Sequence, residues 1–168
     1  MESSICSSCQ KPKATFTCVS CENQGVHTAL CKKCVQFADE DLFSFLPKMP
    51  GDLVSGSYCQ SCFEQKVAPE LESYNQTMAK AHDIGVYFDT QGKETRLIKR
   101  LEDPITIENL PDRDETILRL AFKAAQAGFN AIVDVDVRSE KVRMGSYQNL
   151  KWRGTCVPAH VDPKKLNR

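Results

Sequence analysis

The sequence predicts an α+β protein in two parts. The first is a small cysteine-rich module held by metal, and the second, after a connecting helix, is a small α/β unit. Three observations carry this reading. Eight of the nine cysteines fall in four Cys-x-x-Cys pairs, Cys6/Cys9, Cys18/Cys21, Cys31/Cys34 and Cys59/Cys62, and such close pairs are the spacing of metal knuckles. Beyond residue 83 the pattern changes to apolar alternation and helical periodicity. The charge divides too: residues 1–78 hold six lysines, no arginine and nine carboxylate residues, while the rest of the chain is net basic. The expected boundaries are 1–66 for the module, 67–82 for the helix and 83–163 for the α/β domain.

Composition bounds the function. A chain of 168 residues, 41% hydrophobic, allows one ordinary domain or two small ones. No run of 18 apolar residues is present, so no helical membrane span is expected. Met1-Glu2-Ser3-Ser4-Ile5-Cys6 lacks a basic start and an apolar core, so no export signal is expected. The expected location is the cytoplasm, where disulfides are rare and paired cysteines are read as metal ligands. The zero net charge gives no prior for wholesale nucleic-acid binding.

A Cys-x-x-Cys turn sets two thiolates on one side of a tight loop, and two such turns complete a tetrahedral shell for Zn²⁺. Four turns therefore imply two structural zinc ions per chain. Sequential pairing joins the first knuckle with the second and the third with the fourth; crossed pairing joins first with third and second with fourth. Val35 to Leu46 after the third knuckle carries apolar residues near helical spacing, and Phe63 to Val67 leads from the fourth into the Pro69 helix. The third and fourth knuckles are thus read as helix-opening, the first two as loops. A treble-clef site joins one of each kind, which favours the crossed sets: Cys6, Cys9, Cys31 and Cys34 for one zinc, Cys18, Cys21, Cys59 and Cys62 for the other. Sequential pairing stays open. His27 is read as a loop residue because the cysteine set is complete. Complete shells leave no vacant position for a catalytic water, so the zinc is expected to hold the fold. Phe37, Leu42, Phe43, Phe45, Leu46, Met49 and Leu53 are more apolar surface than a small module readily buries. They are read either as packing on the second half or as a partner-binding patch.

The four knuckles and the ending Ser57-Tyr58-Cys59-Gln60-Ser61-Cys62-Phe63 resemble FYVE-type and related cross-brace zinc fingers over roughly residues 4–66. Lipid-binding members carry a basic motif near the second knuckle, where this chain has Glu22-Asn23-Gln24-Gly25-Val26-His27. Phosphoinositide binding is therefore not expected. RING ligases of similar topology include histidine ligands, and this chain offers eight cysteines instead.

Pro69 suits a first helical position. Leu71, Tyr74, Met78 and Ala81 then recur at helical spacing. In the second part Ile84 to Phe88 reads as a strand, Thr90 to Lys93 as a turn, Arg96 to Leu101 as a second strand and Pro104 to Ile107 as extended chain. Asp112, with Glu115 three residues on, starts a helix. Ile117, Leu118, Ala121, Phe122, Ala124 and Ala125 line its apolar face, and Gly128 closes it. Ala131, Val133, Val135 and Val137 then alternate with Asp134, Asp136 and Arg138, the pattern of a half-buried strand. Val142 to Tyr147 and Leu150 to Pro158 add two more extended stretches, with Leu150, Trp152, Gly154 and Cys156 on one face.

The passage Ala124-Ala125-Gln126-Ala127-Gly128-Phe129-Asn130-Ala131-Ile132-Val133-Asp134-Val135, with Gly154-Thr155-Cys156-Val157, resembles the YbjQ-like family over about residues 83–160. That family is described as heavy-metal-binding. The resemblance implies an α/β sandwich and a homo-oligomeric ring, often a pentamer.

Three further groupings bear on chemistry. Asp134 and Asp136 could bind a cation or act as paired carboxylates, against solvated strand polarity. Cys156 and His160 could form a soft-metal or nucleophilic pair, against a small core cysteine. Lys151, Arg153, Lys164, Lys165 and Arg168 make a basic tail without a repeating aromatic platform, which argues against a nucleic-acid site. The function expected is a zinc-binding interaction or scaffold protein with a protein partner. A metal- or redox-responsive sensor using Cys156 or a labile knuckle is the alternative, and an enzyme using the second domain's carboxylates ranks last. No catalytic residue is assigned.

Overall fold

Short strands, three of them running directly into a cysteine pair, build the first part of the molecule. The computed structural model describes residues 5–96 and 98–162. The chain is mixed α+β and divides into two compact units between Asn75 and Gln76. No helix among the described residues is long and apolar enough to cross a membrane.

In the first unit Ile5 bridges Pro12 around the first knuckle. Strand β1, Phe16–Thr17, pairs antiparallel with β2, Ala29–Leu30, and helix α1, Val19–Asn23, lies between them in sequence. Strand β3, Gln36–Ala38, pairs antiparallel with β4, Gly56–Tyr58. The helix expected after the third knuckle is absent: Val35 leads into β3, and only a 3-10 turn, Glu40–Phe43, follows. Two forces override the apolar periodicity there. The β4 ladder supplies partners for the backbone of Gln36 to Ala38, and the Asp39 carboxylate accepts from the amides of Asp41 (3.0 Å) and Leu42 (3.4 Å), starting the turn late.

After the fourth knuckle, α2, Gln60–Cys62, continues through a π turn, Phe63–Val67, into α3, Ala68–His82. The π turn supplies Val67, and the first turns of α3 supply Leu71 and Tyr74, to a core built on Leu30, Val35, Phe43, Met49 and Tyr58. Phe43 meets Tyr74 edge to face at 5.5 Å. The apolar stretch from Phe37 to Leu53 is therefore mostly core of its own unit. Phe43 and Met49 are buried, and Leu42, Leu46 and Leu53 pack against them. Only Phe37 stands out, 54% exposed, with its ring edge-on to Phe16.

The second unit is a four-stranded sheet with a helix on one face. Strand β5, Gly85–Phe88, is followed by a 3-10 turn, Asp89–Gln91, and a short helix α4, Gly92–Thr95. Then come β6, Ile105–Leu110, helix α5, Arg113–Gln126, and two long strands, β7, Ala131–Met144, and β8, Tyr147–Ala159. The order across the sheet is β5-β7-β8-β6, with β5 parallel to β7 and the other neighbours antiparallel. The strand expected over Arg96 to Leu101 does not form in the described residues there. Arg100 instead turns back to donate to the carbonyls of Thr95 (2.5 Å) and Ile98 (2.6 Å).

Helix α5 starts and stops where its end signals lie. Asp112 caps it by accepting from the Glu115 amide at 2.7 Å. Gly128, at φ +90°, closes it: its amide reaches the Ala125 carbonyl and the Phe129 amide reaches Ala124, the two bonds of a Schellman ending. Leu120, Phe122 and Ala124 are buried, and Gly154 of β8 lets the helix approach, since a Cβ there would stand 2.8 Å from Thr116 Cγ2.

The simple alternation read along β7 is broken by a bulge. Val133 pairs with Val157 but Asp136 pairs with Thr155, so Asp134 and Val135 together stand opposite Cys156. Asp134 takes a left-handed φ of 52°. The extra residue resets the faces. Asp136 follows Val133 onto one side, and Val137, opposite Gly154, turns to the α5 side.

Candidate metal centres

The strands position the knuckles. Thr17 of β1 is followed at once by Cys18, Leu30 of β2 by Cys31 and Tyr58 of β4 by Cys59. Two hydrogen bonds then decide which knuckles meet. The Ser7 amide donates to the Ala29 carbonyl at 2.8 Å, which sets the first knuckle beside the end of β2 and the third. The Ser57 hydroxyl donates to the Thr17 carbonyl, which sets the end of β4 and the fourth knuckle beside the second.

The result is two four-cysteine groups: Cys6, Cys9, Cys31 and Cys34, and Cys18, Cys21, Cys59 and Cys62. Within each group the sulfurs lie within 4.8 Å of one another. Cys9 and Cys31 are 3.6 Å apart, Cys21 and Cys62 3.5 Å, and Cys21 and Cys59 3.9 Å. A disulfide requires about 2.05 Å, and all nine cysteines are free thiols. Four sulfurs about 2.3 Å from a tetrahedral ion stand about 3.8 Å apart. The separations are those of a metal shell, so each group could hold one ion. The crossed sets anticipated from sequence are the ones brought together, although the third knuckle opens a strand and the ground given for that pairing does not hold.

The electrostatics of the groups are uneven. Cys6 is lowered to about 6, first by the Cys9 amide and then by the Cys31 amide. Cys18 is drawn down to about 7: burial opposes its thiolate, but the amides of Cys59 and Cys21 outweigh it. Cys34 is pushed up to about 12 by the neighbouring thiols of Cys31 and Cys9, with burial added. Cys62 rises to about 12 through burial first and then through Cys59 and Cys21. Without a cation, each group thus favours some thiolates at the expense of others, because like charges under 4 Å apart disfavour one another. A divalent ion removes that conflict. The knuckle amides of Cys21 and Cys62 also donate to the sulfurs of Cys18 and Cys59, both at 3.4 Å.

No family model, no curated protein and no solved structure matches this chain at a significant level. The site is therefore read from its own residues.

Beside the second group, a cleft of about 390 Å³ is lined by Val19, Ser20, Tyr58, Lys66 and Glu70 among others. The Lys66 ammonium donates to the Ser20 hydroxyl there. Sequence inspection missed this cleft, because its walls come from α1, the loop before β4 and the start of α3. His27 is exposed, 3.8 Å from Glu22, and belongs to neither sulfur group.

The remaining candidates do not converge. Asp134 is held by Arg100 through two hydrogen bonds of 2.9 Å, and that guanidinium lowers its pKa. Asp136 accepts instead from Arg138 at 2.9 Å. Each carboxylate therefore has its own arginine. Cys156 is 1% exposed, and burial pushes its thiol up to about 12. His160 is exposed and stacks on Phe129, ring centres 4.8 Å apart. Of the basic tail, Lys151 and Arg153 lie in β8, and Lys164, Lys165 and Arg168 lie outside the described residues.

Proposed function

We propose that this protein is a zinc-stabilised interaction scaffold. One observation carries the reading: each group already supplies four sulfurs, so a tetrahedral ion there has no open position for water or substrate. The ions serve the fold, and function resides on the surface they hold in shape. Zinc is the ion that such four-thiolate tetrahedra favour. The cleft beside the second group, lined by Val19, Leu53, Lys66 and Glu70 among others, is the part of that surface where we place the contact with a protein partner.

The two strand-linked groups support kinship with the cross-brace, treble-clef fingers of FYVE type. The sheet and its covering helix support kinship with YbjQ-like domains, and with it a homo-oligomer. Joining an interaction module to a self-associating domain raises avidity without any new contact. The buried Cys156 counts against the redox-sensor alternative through that thiol.

Native mass spectrometry of the full chain tests this. Two zinc ions per chain and a homo-oligomer are expected. Fewer than two zinc ions, or a monomer, would overturn the proposal.

A further inference from the structure

The sheet of the second unit has one face under α5 and one turned away from it. A Cβ at Gly154 would meet Thr116 and Leu120 of α5, and Val137 Cγ2 at 3.4 Å, so Gly154 and Val137 face the helix. Their chain neighbours alternate onto the other face. Pairing sets Thr106 of β6 opposite Thr155 of β8, Thr155 opposite Asp136 of β7, and Arg153 of β8 opposite Arg138 of β7. Thr106, Thr155 and Asp136 therefore form one row across three strands. Arg138 and Arg153 form the next row on the same face. With the backbone of Gly154 these five side chains line a depression of about 260 Å³.

The fold does not account for this grouping. Like charges directly opposite on neighbouring strands repel, yet Arg138 and Arg153 are such a pair. A carboxylate holds each from one side. Asp136 accepts from Arg138 Nε at 2.9 Å, and Glu140 lies 3.4 Å from Arg153 Nη1. Of the two carboxylates only Asp136 lines the depression, so its lining carries two guanidinium charges against one negative charge. Because Asp136 takes the Nε, the Nη edge of Arg138 has no bond among the described residues and stays open to a ligand. The Thr106 and Thr155 hydroxyls, 3.4 Å apart, add two neutral donors. Arg138 and Arg153 are 67% and 53% exposed, so a solute reaches both.

We propose that this depression binds the phosphate group of a small molecule, with Arg138 and Arg153 as charged forks and Thr106 and Thr155 as hydroxyl donors. The four donor side chains come from three strands. A carboxylate offers two oxygens in one plane, whereas a phosphate ester offers three spread tetrahedrally. Guanidinium forks match such oxygens in pairs, and an anion between the two arginines offsets their repulsion. The volume lies below the roughly 300–1,000 Å³ of sites for drug-sized ligands, which suits free phosphate or a short phosphate ester. The site lies wholly in the second unit, so this inference stands apart from the reading of the metal module.

The test is a chemical-shift titration of the isotope-labelled full-length protein with inorganic phosphate, glycerol phosphate, malonate, and sodium chloride at matched ionic strength. Saturating shifts at Thr106, Arg138, Arg153 and Thr155 are expected with the phosphates, and the tighter of the two identifies a free or an esterified ligand. Arg138→Gln combined with Arg153→Gln should weaken binding about tenfold or more. Thr155→Val should cost about threefold or more. Lys141→Gln combined with Arg143→Gln removes as much charge from the opposite face of the same strand pair. It should leave affinity within about threefold, because exposed charges at that distance are largely screened. Matching circular dichroism keeps a folding defect from imitating the loss, and an unchanged native mass excludes a subunit contact as the role of the arginines. No saturation with either phosphate, shifts no larger than those with chloride, equal affinity for malonate, an altered native mass in the arginine variant, or undiminished binding by that variant would each overturn the proposal.

Discussion

At Gly154 a single methyl group decides packing. A Cβ there would lie 2.8 Å from Thr116 Cγ2 and 2.9 Å from Leu120 Cδ1, closer than side chains tolerate. Gly154→Ala should destabilise the second unit by about 1–3 kcal/mol through overpacking, read from urea unfolding followed at Trp152. A midpoint equal to wild type would show that α5 can withdraw freely. Asp134 raises a different issue, because its charge matters as well as its shape. Arg100 depresses its pKa in the folded state, so its contribution is full above the unfolded carboxyl value of about 4 and is lost as the pH falls through the lower folded value. The side chain is 42% exposed, which limits the contribution to about 1 kcal/mol or less. Asp134→Asn, which tolerates the left-handed backbone, should therefore be less stable than wild type at pH 7 and converge with it toward pH 3. A difference that stays constant across that range would show that the ion pair contributes nothing.

At the scale of elements, α5 is specified by its ends and by its buried face. Asp112→Ala removes the acceptor of the Glu115 amide and should cost about 1 kcal/mol. Gly128→Ala forces a Cβ into a backbone at φ +90° and should cost about 1–2 kcal/mol. Both are measurable as shifts in the denaturation midpoint of the second unit, and a shift smaller than about 0.3 kcal/mol in either would contradict the capping assignment. The helix was legible because cap residues act on backbone groups one turn away. The third knuckle was not legible in the same way. Val35 to Leu46 has helical apolar spacing, yet Gln36 to Ala38 pairs with a strand twenty residues on. Local periodicity says nothing about a ladder partner at that distance.

At the scale of the molecule, the single tryptophan is a selective reporter. Trp152 lies in the second unit and all eight knuckle cysteines in the first. On the proposed zinc-stabilised reading, chelation should unfold the first unit, because its core is small and the two cysteine groups join segments far apart in sequence. Hydrogen exchange should rise across Cys6 to Val67 while Trp152 emission stays unchanged. A parallel change in Trp152 emission would mean that the two units fold as one cooperative body.

By itself the sequence determined the number of sulfur groups, the acidic and basic division of the chain, the limits of α5 and the existence of strands on either side of it. Each of these rests on short-range chemistry: the bite of a Cys-x-x-Cys turn, a cap, a period of two or of 3.6. Tertiary structure alone decided the rest. It set which knuckles share a group, through Ser7 on Ala29 and Ser57 on Thr17. It turned the apolar stretch from Leu42 to Leu53 inward onto Val67 and Tyr74. It placed the bulge at Asp134, which gave Asp134 and Asp136 separate arginines. In all three cases the deciding contact joins residues more than twenty positions apart or a register set by the partner strand. Such contacts depend on which backbone groups find each other in space, and no local pattern along the chain records that.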